Sequence, residues 1–153
     1  MKKEFYYLSR DGKTQVHAVE WIPEDEPKGI LQICHGMVEY IERYHEFAEY
    51  LCGRGYYVTG HDHLGHGKSV TDEADYGYFP EKNGNRCVIG DIHQLRVITS
   101  KKYPGVPYLM LGHSMGSFLL RQYLTEHGNG LAGAVIMGTG YQPLAVLKAG
   151  QLI

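Results

Sequence analysis

The stretch Tyr108-Leu109-Met110-Leu111-Gly112-His113-Ser114-Met115-Gly116 decides the fold. An apolar run ends here in a G-x-S-x-G pentapeptide, and an amphipathic helical pattern continues from it to His127. A nucleophilic serine has to project its oxygen from a sharp turn between strand and helix, and flanking glycines let the two elements pass without collision. Free N–H groups at the start of the helix can stabilise an oxyanion. The stretch therefore predicts Ser114 as a catalytic nucleophile.

Strand-like and helix-like patterns alternate on both sides of this stretch. A hairpin comes first, because Asp11-Gly12 is a turn signal between two strand-like runs. A hairpin followed by strand–helix alternation predicts an α/β fold, with a mostly parallel sheet and helices on both faces. Such sheets carry their chemistry at the carboxyl ends of the strands. The predicted strands are residues 4–9, 14–22, 29–34, 56–60, 107–111 and 131–137, and the predicted helices are 44–52, 85–102 and 114–127.

A second motif, His35-Gly36-Met37, follows the predicted strand 29–34. In sheets with a G-x-S-x-G turn, one oxyanion N–H belongs to the residue after the nucleophile and the other to the loop after an earlier strand. We therefore expect the backbone N–H groups of Met37 and Met115 to form the oxyanion hole. His35 is expected to stabilise its loop, without a part in proton transfer, and Gly36 and His113 to support the site.

The glycine- and histidine-rich stretch Gly60–Ser69 admits two interpretations. Imidazoles at positions 61, 63 and 66 beside Asp62 resemble metal-ligand spacing, so a metal-dependent hydrolase stays open as an alternative. The glycines at 60, 65 and 67 instead favour a tight loop that passes close to other backbone. Gly65 also stands where a histidine–aspartate metal motif would need an acid. The expectation is a structural loop without a metal.

The amino-acid composition limits the classes of protein to which the chain can belong. Hydrophobic residues make up 43% of the 153 residues and charged residues 21%, which is typical of one soluble globular domain. A formal net charge of −2 gives no electrostatic reason for a nucleic-acid partner. No apolar run reaches the length of a signal peptide or a membrane span. Three widely spaced cysteines suit a reducing cytoplasm. Nothing in the sequence indicates an oligomeric state.

Taken together, the motifs resemble the monoacylglycerol lipase and lysophospholipase-like branch of the α/β-hydrolases, which is also described as serine aminopeptidase-like. The resemblance implies the α/β-hydrolase fold, Ser114 as nucleophile and Met37 and Met115 as oxyanion donors. Two residues of the first motif differ from the branch. The branch often has glycine at the position of Val38 and histidine at the position of Tyr40. The matching segments are residues 35–40 with 43–44, 60–69, 77–84, 91–95 and 111–116.

The acid and the base of a triad are expected to lie outside the sequence. In this fold the nucleophile is followed by an aspartate or glutamate and then by a histidine. No aspartate follows Ser114, and Glu126 and His127 are neighbours too far along the nucleophile's own helix to converge on it. We therefore expect residues 1–153 to be the N-terminal part of a single domain, truncated after about the sixth strand. A cap segment is expected to begin near residue 140.

The expected function is hydrolysis of carboxylic esters, such as monoacylglycerols or lysophospholipids, through an acyl-enzyme and without a cofactor. The chain alone is expected to be inactive. The whole protein is expected to be cytoplasmic and to take a small-molecule or lipid ester as its substrate. Peptidase, thioesterase and acyltransferase activities share the same serine turn and stay open. A non-catalytic binding protein on a hydrolase scaffold is the remaining alternative.

Overall fold

The structure is a computed structural model that describes residues 1–70 and 72–143. Six strands and three α-helices alternate along it after an initial hairpin. Short 3-10 helices cover Ile41–Tyr44, Gly67–Ser69 and Glu73–Asp75. The strands are β1 (Lys2–Leu8), β2 (Gln15–Trp21), β3 (Gly29–Cys34), β4 (Tyr56–His61), β5 (Tyr108–His113) and β6 (Gly133–Met137), and the helices are α1 (His45–Cys52), α2 (Gly84–Lys102) and α3 (Met115–His127).

The six strands form one sheet in the order β1-β2-β4-β3-β5-β6. Strand β2 pairs antiparallel with β1 and with β4, whereas β4, β3, β5 and β6 pair parallel to one another. β2 is therefore the one reversed strand among the described residues. β3 and β5 are neighbours at the centre, and Cys34 is paired with Gly112 where both strands end. This pairing brings the two predicted motifs to the same edge of the sheet.

Helices cover both faces of the sheet, as the sequence predicts. Successive residues of β3 point to opposite faces, so that Ile30 and Cys34 join one core cluster and Leu31 and Ile33 the other. The cluster on the first face contains side chains of α2 and α3, including Val88, Ile92, Leu95, Leu119, Leu120 and Tyr123. The cluster on the second face packs against Ala48 of α1 and Ile41.

The predicted elements agree with the observed ones except at their ends. β5 continues to His113, two residues beyond the predicted end, and α3 begins at Met115 because Ser114 has a non-helical backbone. β6 begins at residue 133 instead of 131. Most of the predicted cap segment lies outside the described residues, which end at 143. No helix among the described residues is both long and apolar enough to span a membrane.

Candidate active site

Ser114 lies on the turn between β5 and α3 in a conformation that L-residues rarely adopt. Its φ is 52° and its ψ is −120°, outside the ordinary regions for a residue with a side chain. Such a backbone costs about 1–3 kcal/mol and persists only where surrounding structure holds it. Its N–H donates to the carbonyl oxygen of Met137 at the end of β6, at 3.0 Å, and its own carbonyl accepts from Ser117. The predicted strained turn is therefore present.

The glycines around Ser114 are required by close approach. A Cβ atom on Gly112 would overlap the backbone of Gly116, where strand and helix cross, and one on Gly116 would overlap the carbonyl of Cys34. A Cβ on Gly36 would lie 3.1 Å from the Cβ of Ser114. The loop after β3 and the turn after β5 are consequently in direct contact, which is what an oxyanion hole shared between them requires.

Glu39 joins these two segments through its carboxylate. Oε1 accepts hydrogen bonds from the Gly36 N–H, from the Tyr44 hydroxyl at 2.9 Å and from His113 Nδ1 at 3.0 Å. Oε2 forms an ion pair with Arg43 at 3.2 Å, and the carboxylate is buried. Burial alone would raise the pKa of Glu39, but the hydrogen bonds from His113, Gly36 and Tyr44 outweigh it and hold the pKa below its usual value. The Glu39 carboxylate is therefore charged, and both of its oxygens have partners.

Between Gly36 and Glu39 the chain makes a strained turn. Val38 has a φ of 56° although it is β-branched, and its side chain is 89% exposed. The glycine that the resembling branch often has there would adopt this conformation without steric cost. Met37 precedes it, and no hydrogen bond within the described residues uses the Met37 N–H. Met115 is the first residue of α3, so its N–H has no acceptor inside the helix.

His35 joins two loops through the two nitrogens of its ring. Its Nδ1 bonds the carbonyl oxygen of Gly36 at 2.7 Å, and its Nε2 accepts the backbone N–H of His63 at 3.0 Å. The ring is completely buried, and this desolvation lowers the pKa of His35 to about 4. A neutral imidazole in this position ties the loop after β3 to the loop after β4.

The histidines of the Gly60–Ser69 stretch are buried and bonded to protein groups. His61 contacts the Tyr7 hydroxyl through Nδ1 and His63 Nδ1 through Nε2, both at 3.0 Å, and His66 Nδ1 bonds the carbonyl of Leu64. Burial lowers the pKa of His61 to about 3 and that of His63 well below its usual value. Residues 1–70 and 72–143 contain no group of three or more side chains arranged as metal ligands. Within the described residues, these imidazoles form part of a tight, hydrogen-bonded loop.

Asp62 fixes the start of this loop. Its carboxylate accepts the backbone N–H groups of Ile41 and Lys68 and bonds His17 Nδ1 at 2.8 Å. The opposite ring nitrogen of His17 contacts Glu4 at 2.9 Å. Burial would lower the pKa of His17, but the two carboxylates outweigh it and raise the pKa. Sequence reasoning missed this pair, because its members lie on β2 and after β4, far apart in the chain.

The buried imidazoles make stability depend on pH. His35 and His61 stay neutral in the folded protein but bind protons below about pH 6.5 when unfolded, so their contribution is lost as the pH falls below that value. Asp91, whose pKa burial raises to about 6, opposes them as it gains a proton on folding. From these three groups we expect a net loss of about 2 kcal/mol between pH 6.5 and 5.

Urea unfolding of the chain, at protein concentrations low enough to keep it monomeric and followed through the fluorescence of Trp21, measures this loss. The His61→Phe variant has one imidazole fewer to protonate, and it is expected to lose about 1–2 kcal/mol less over the same interval. Equal losses in the two proteins would mean that His61 is protonated in the folded state as easily as in water.

A cavity of about 680 Å³ opens beside the serine turn. Met37 and Met115, the two predicted oxyanion residues, both line it, whereas Ser114 itself is not among the lining residues. Much of the wall is apolar or aromatic, which suits an acyl chain. Charged and polar side chains also line the cavity, and the wall includes Val38, Tyr40, Tyr76, Phe79, Glu39, Glu42, Asp62, His17, His66 and Lys68.

No imidazole among the described residues bonds the Ser114 hydroxyl. All nine histidines of the chain lie in that part, and eight make hydrogen bonds to other groups. The ninth, His127, stacks on His93 between α2 and α3 at 4.0 Å. His113, next to Ser114 in sequence, points its Nδ1 at Glu39. The described residues thus supply a serine turn without a general base on the serine.

The reversed β2, the parallel strands after it and the glycine-flanked serine between β5 and α3 define an α/β-hydrolase fold. The chain belongs to the family described as serine aminopeptidase, S33, whose model matches residues 25–151. The fold, the family and the resemblance predicted from the motifs are thereby confirmed.

Relatives of known structure or activity agree with this assignment. The chain is 35% identical over 124 residues to human monoglyceride lipase, covering 76% of this chain and 37% of the lipase. It is 29% identical over 118 residues to monoacylglycerol lipase from Mycolicibacterium smegmatis, covering 77% and 40%. The crystal structure of a thermostable carboxyl esterase from Bacillus coagulans, in complex with glycerol, superposes with a TM-score of 0.90 at 36% identity, covering 99% of this chain and 48% of the esterase. The chain thus spans less than half the length of each.

Proposed function

We propose that the chain is the N-terminal part of a single serine hydrolase domain that cleaves carboxylic esters of the monoacylglycerol or lysophospholipid type. The observation that carries the proposal is the strained turn at Ser114 in contact with the Gly36 loop. A hydrolase of this kind needs its serine oxygen close to both oxyanion donors, and strained non-glycine backbones of this kind cluster at active sites.

In the proposed reaction, Ser114 Oγ attacks the ester carbonyl and passes its proton to a histidine supplied from outside these 153 residues. The N–H groups of Met37 and Met115 stabilise the negative oxygen of the tetrahedral intermediate. The histidine then protonates the departing alcohol, which leaves an acyl-enzyme. Water, deprotonated by the same histidine, releases the carboxylic acid and regenerates Ser114. An acid outside the chain orients the histidine, and no cofactor takes part.

The choice of ester over other acyl substrates rests on the relatives and on the cavity. The two lipases named above act on acylglycerols by their names, and the mostly apolar wall beside Met37 and Met115 suits an acyl chain. The three cysteines are free thiols, which supports a cytoplasmic setting. The family description keeps an aminopeptidase as the second candidate, and peptide amides belong in the test.

The test compares the complete reading frame that contains this chain with its Ser114→Ala variant on a monoacylglycerol, a lysophospholipid and an aminoacyl nitroanilide. Removing the nucleophile is expected to lower kcat/KM for the preferred ester by at least about 10⁴-fold. Ser100→Ala, which removes a serine from α2, is the matched control and is expected to leave turnover unchanged. Ester hydrolysis that survives Ser114→Ala would contradict the proposal, and preference for the nitroanilide would favour the peptidase.

A further inference from the structure

Met37 lies in the exposed part of the loop after β3, beyond the hydrogen bonds that His35 makes at the start of that loop. Met37 and Val38 form an exposed turn, with exposures of 65% and 89%, and Val38 is held in a left-handed backbone that valine disfavours. An oxyanion donor has to be held within a few tenths of an ångström to act on the transition state. Some other group must therefore hold this turn against the serine.

Glu39 is placed to do so. Its Oε1 reaches back three residues to the Gly36 N–H, which closes the turn around Met37 and Val38. The same oxygen accepts from His113 Nδ1, and His113 is the residue immediately before Ser114. One atom is thus bonded to both segments that are proposed to form the oxyanion hole. Gly36 and Ser114 are in direct contact beside these two hydrogen bonds.

The carboxylate is itself held in place from a third direction. Tyr44 and Arg43, at the end of the 3-10 helix that follows, bond its two oxygens, and the side chain is only 6% exposed. A charged acceptor binds N–H donors more strongly than a neutral one, and in a buried position the bonds are little screened by water. Loss of the carboxylate would leave Gly36 and His113 without their shared acceptor.

We propose that Glu39 is a positioning residue, which locks the Met37 loop to the Ser114 turn and so sets the geometry of the oxyanion hole. Glu39 lines the cavity but bonds none of the proposed reacting atoms, and it acts through Gly36 and His113. The proposal rests on the proposed ester hydrolysis for its kinetic consequence. Its structural consequence rests on the hydrogen bonds of Glu39 alone. The kinetic and the structural consequence can therefore be measured separately.

The kinetic test uses Glu39→Ala and Glu39→Gln in the complete reading frame. Glu39→Ala is expected to lower kcat about 30- to 100-fold with KM within about threefold, since an oxyanion contact acts on the transition state and not on substrate binding. Glu39→Gln keeps an acceptor for the Gly36 N–H and is expected to recover to within about fivefold of the parent. Glu46→Ala, which removes an exposed carboxylate from α1, is the matched control. A Glu39→Ala protein with unchanged kcat, or with the whole loss in KM, would overturn the proposal.

The structural test is amide hydrogen exchange resolved at Gly36 in the same variants. Exchange is expected to rise at least about tenfold in Glu39→Ala and to stay near the parent value in Glu39→Gln. This measurement decides the positioning claim even in a protein that hydrolyses no ester. Absent hydrolysis with faster exchange would refute the proposed function and support the lock, whereas unchanged exchange would refute the lock whatever the activity.

Discussion

The isolated 153-residue chain is expected to hydrolyse p-nitrophenyl butyrate at least about 10⁴-fold more slowly than the complete reading frame, at equal protein concentration. The chain holds the serine turn and the proposed oxyanion donors, but none of its imidazoles bonds the Ser114 hydroxyl within the described part. Without a base the serine keeps its proton and is a poor nucleophile at neutral pH. Initial rates of nitrophenolate release measure the difference.

His113 provides the control for this prediction. It lies next to Ser114 and forms an acid–imidazole pair with Glu39, so it is the nearest candidate for a local base. The bond to Glu39 directs one ring nitrogen away from the serine, and we therefore expect His113→Ala to leave the residual rate of the isolated chain unchanged. Turnover by the isolated chain that disappears in both Ser114→Ala and His113→Ala would show that the base is local.

The isolated chain is also expected to self-associate through β6. This strand pairs with β5 on one side and with no described strand on the other, so it presents a row of unpaired N–H and C=O groups. Val135, Ile136 and Met137 are exposed by 49%, 39% and 45%, and β6 contains no charge or proline. An uncharged apolar edge of this kind is a template for pairing with another chain. Size-exclusion chromatography is expected to show mainly species larger than a monomer.

Two substitutions to lysine distinguish pairing at the strand edge from nonspecific hydrophobic association. Val135→Lys places a charge on the free edge and is expected to shift most of the protein to the monomer position. Val97→Lys places the same charge at a similarly exposed valine on α2, 38% exposed, and is expected to leave the association unchanged. A monomeric parent chain with one sharp unfolding transition in urea would mean that the half-sheet is self-sufficient.

The order of strands and helices is predictable from the sequence because each element carries its own local signal. The apolar run before Gly112 and the periodic apolar face of α3 are visible in a few residues, and the turn between them follows from the glycine spacing. The ends are less predictable. Ser114 belongs to neither element, since its left-handed backbone is imposed by contacts with β3 and β6 that are distant in the chain.

The polar contacts of the site were not predictable, since they join residues with no sequence relation. Glu39 and His113 are separated by 74 positions, and His17 and Asp62 by 45. A glutamate three residues after Gly36 is a weak signal of a side chain that turns back on its own loop. The histidines at 61, 63 and 66 had two interpretations, since buried structural imidazoles and metal ligands share the same spacing. Only the positions of the ring nitrogens distinguish them.

The left-handed backbone at Ser114 bears on how this position would drift if the hydroxyl had no use. Glycine adopts a φ of 52° without steric cost, and two of the six serine codons differ from a glycine codon by a single nucleotide. Neutral drift in a scaffold that only binds would therefore run toward glycine and gain stability in doing so. The presence of serine at a position that favours glycine argues that the hydroxyl is used, and it argues against a non-catalytic scaffold.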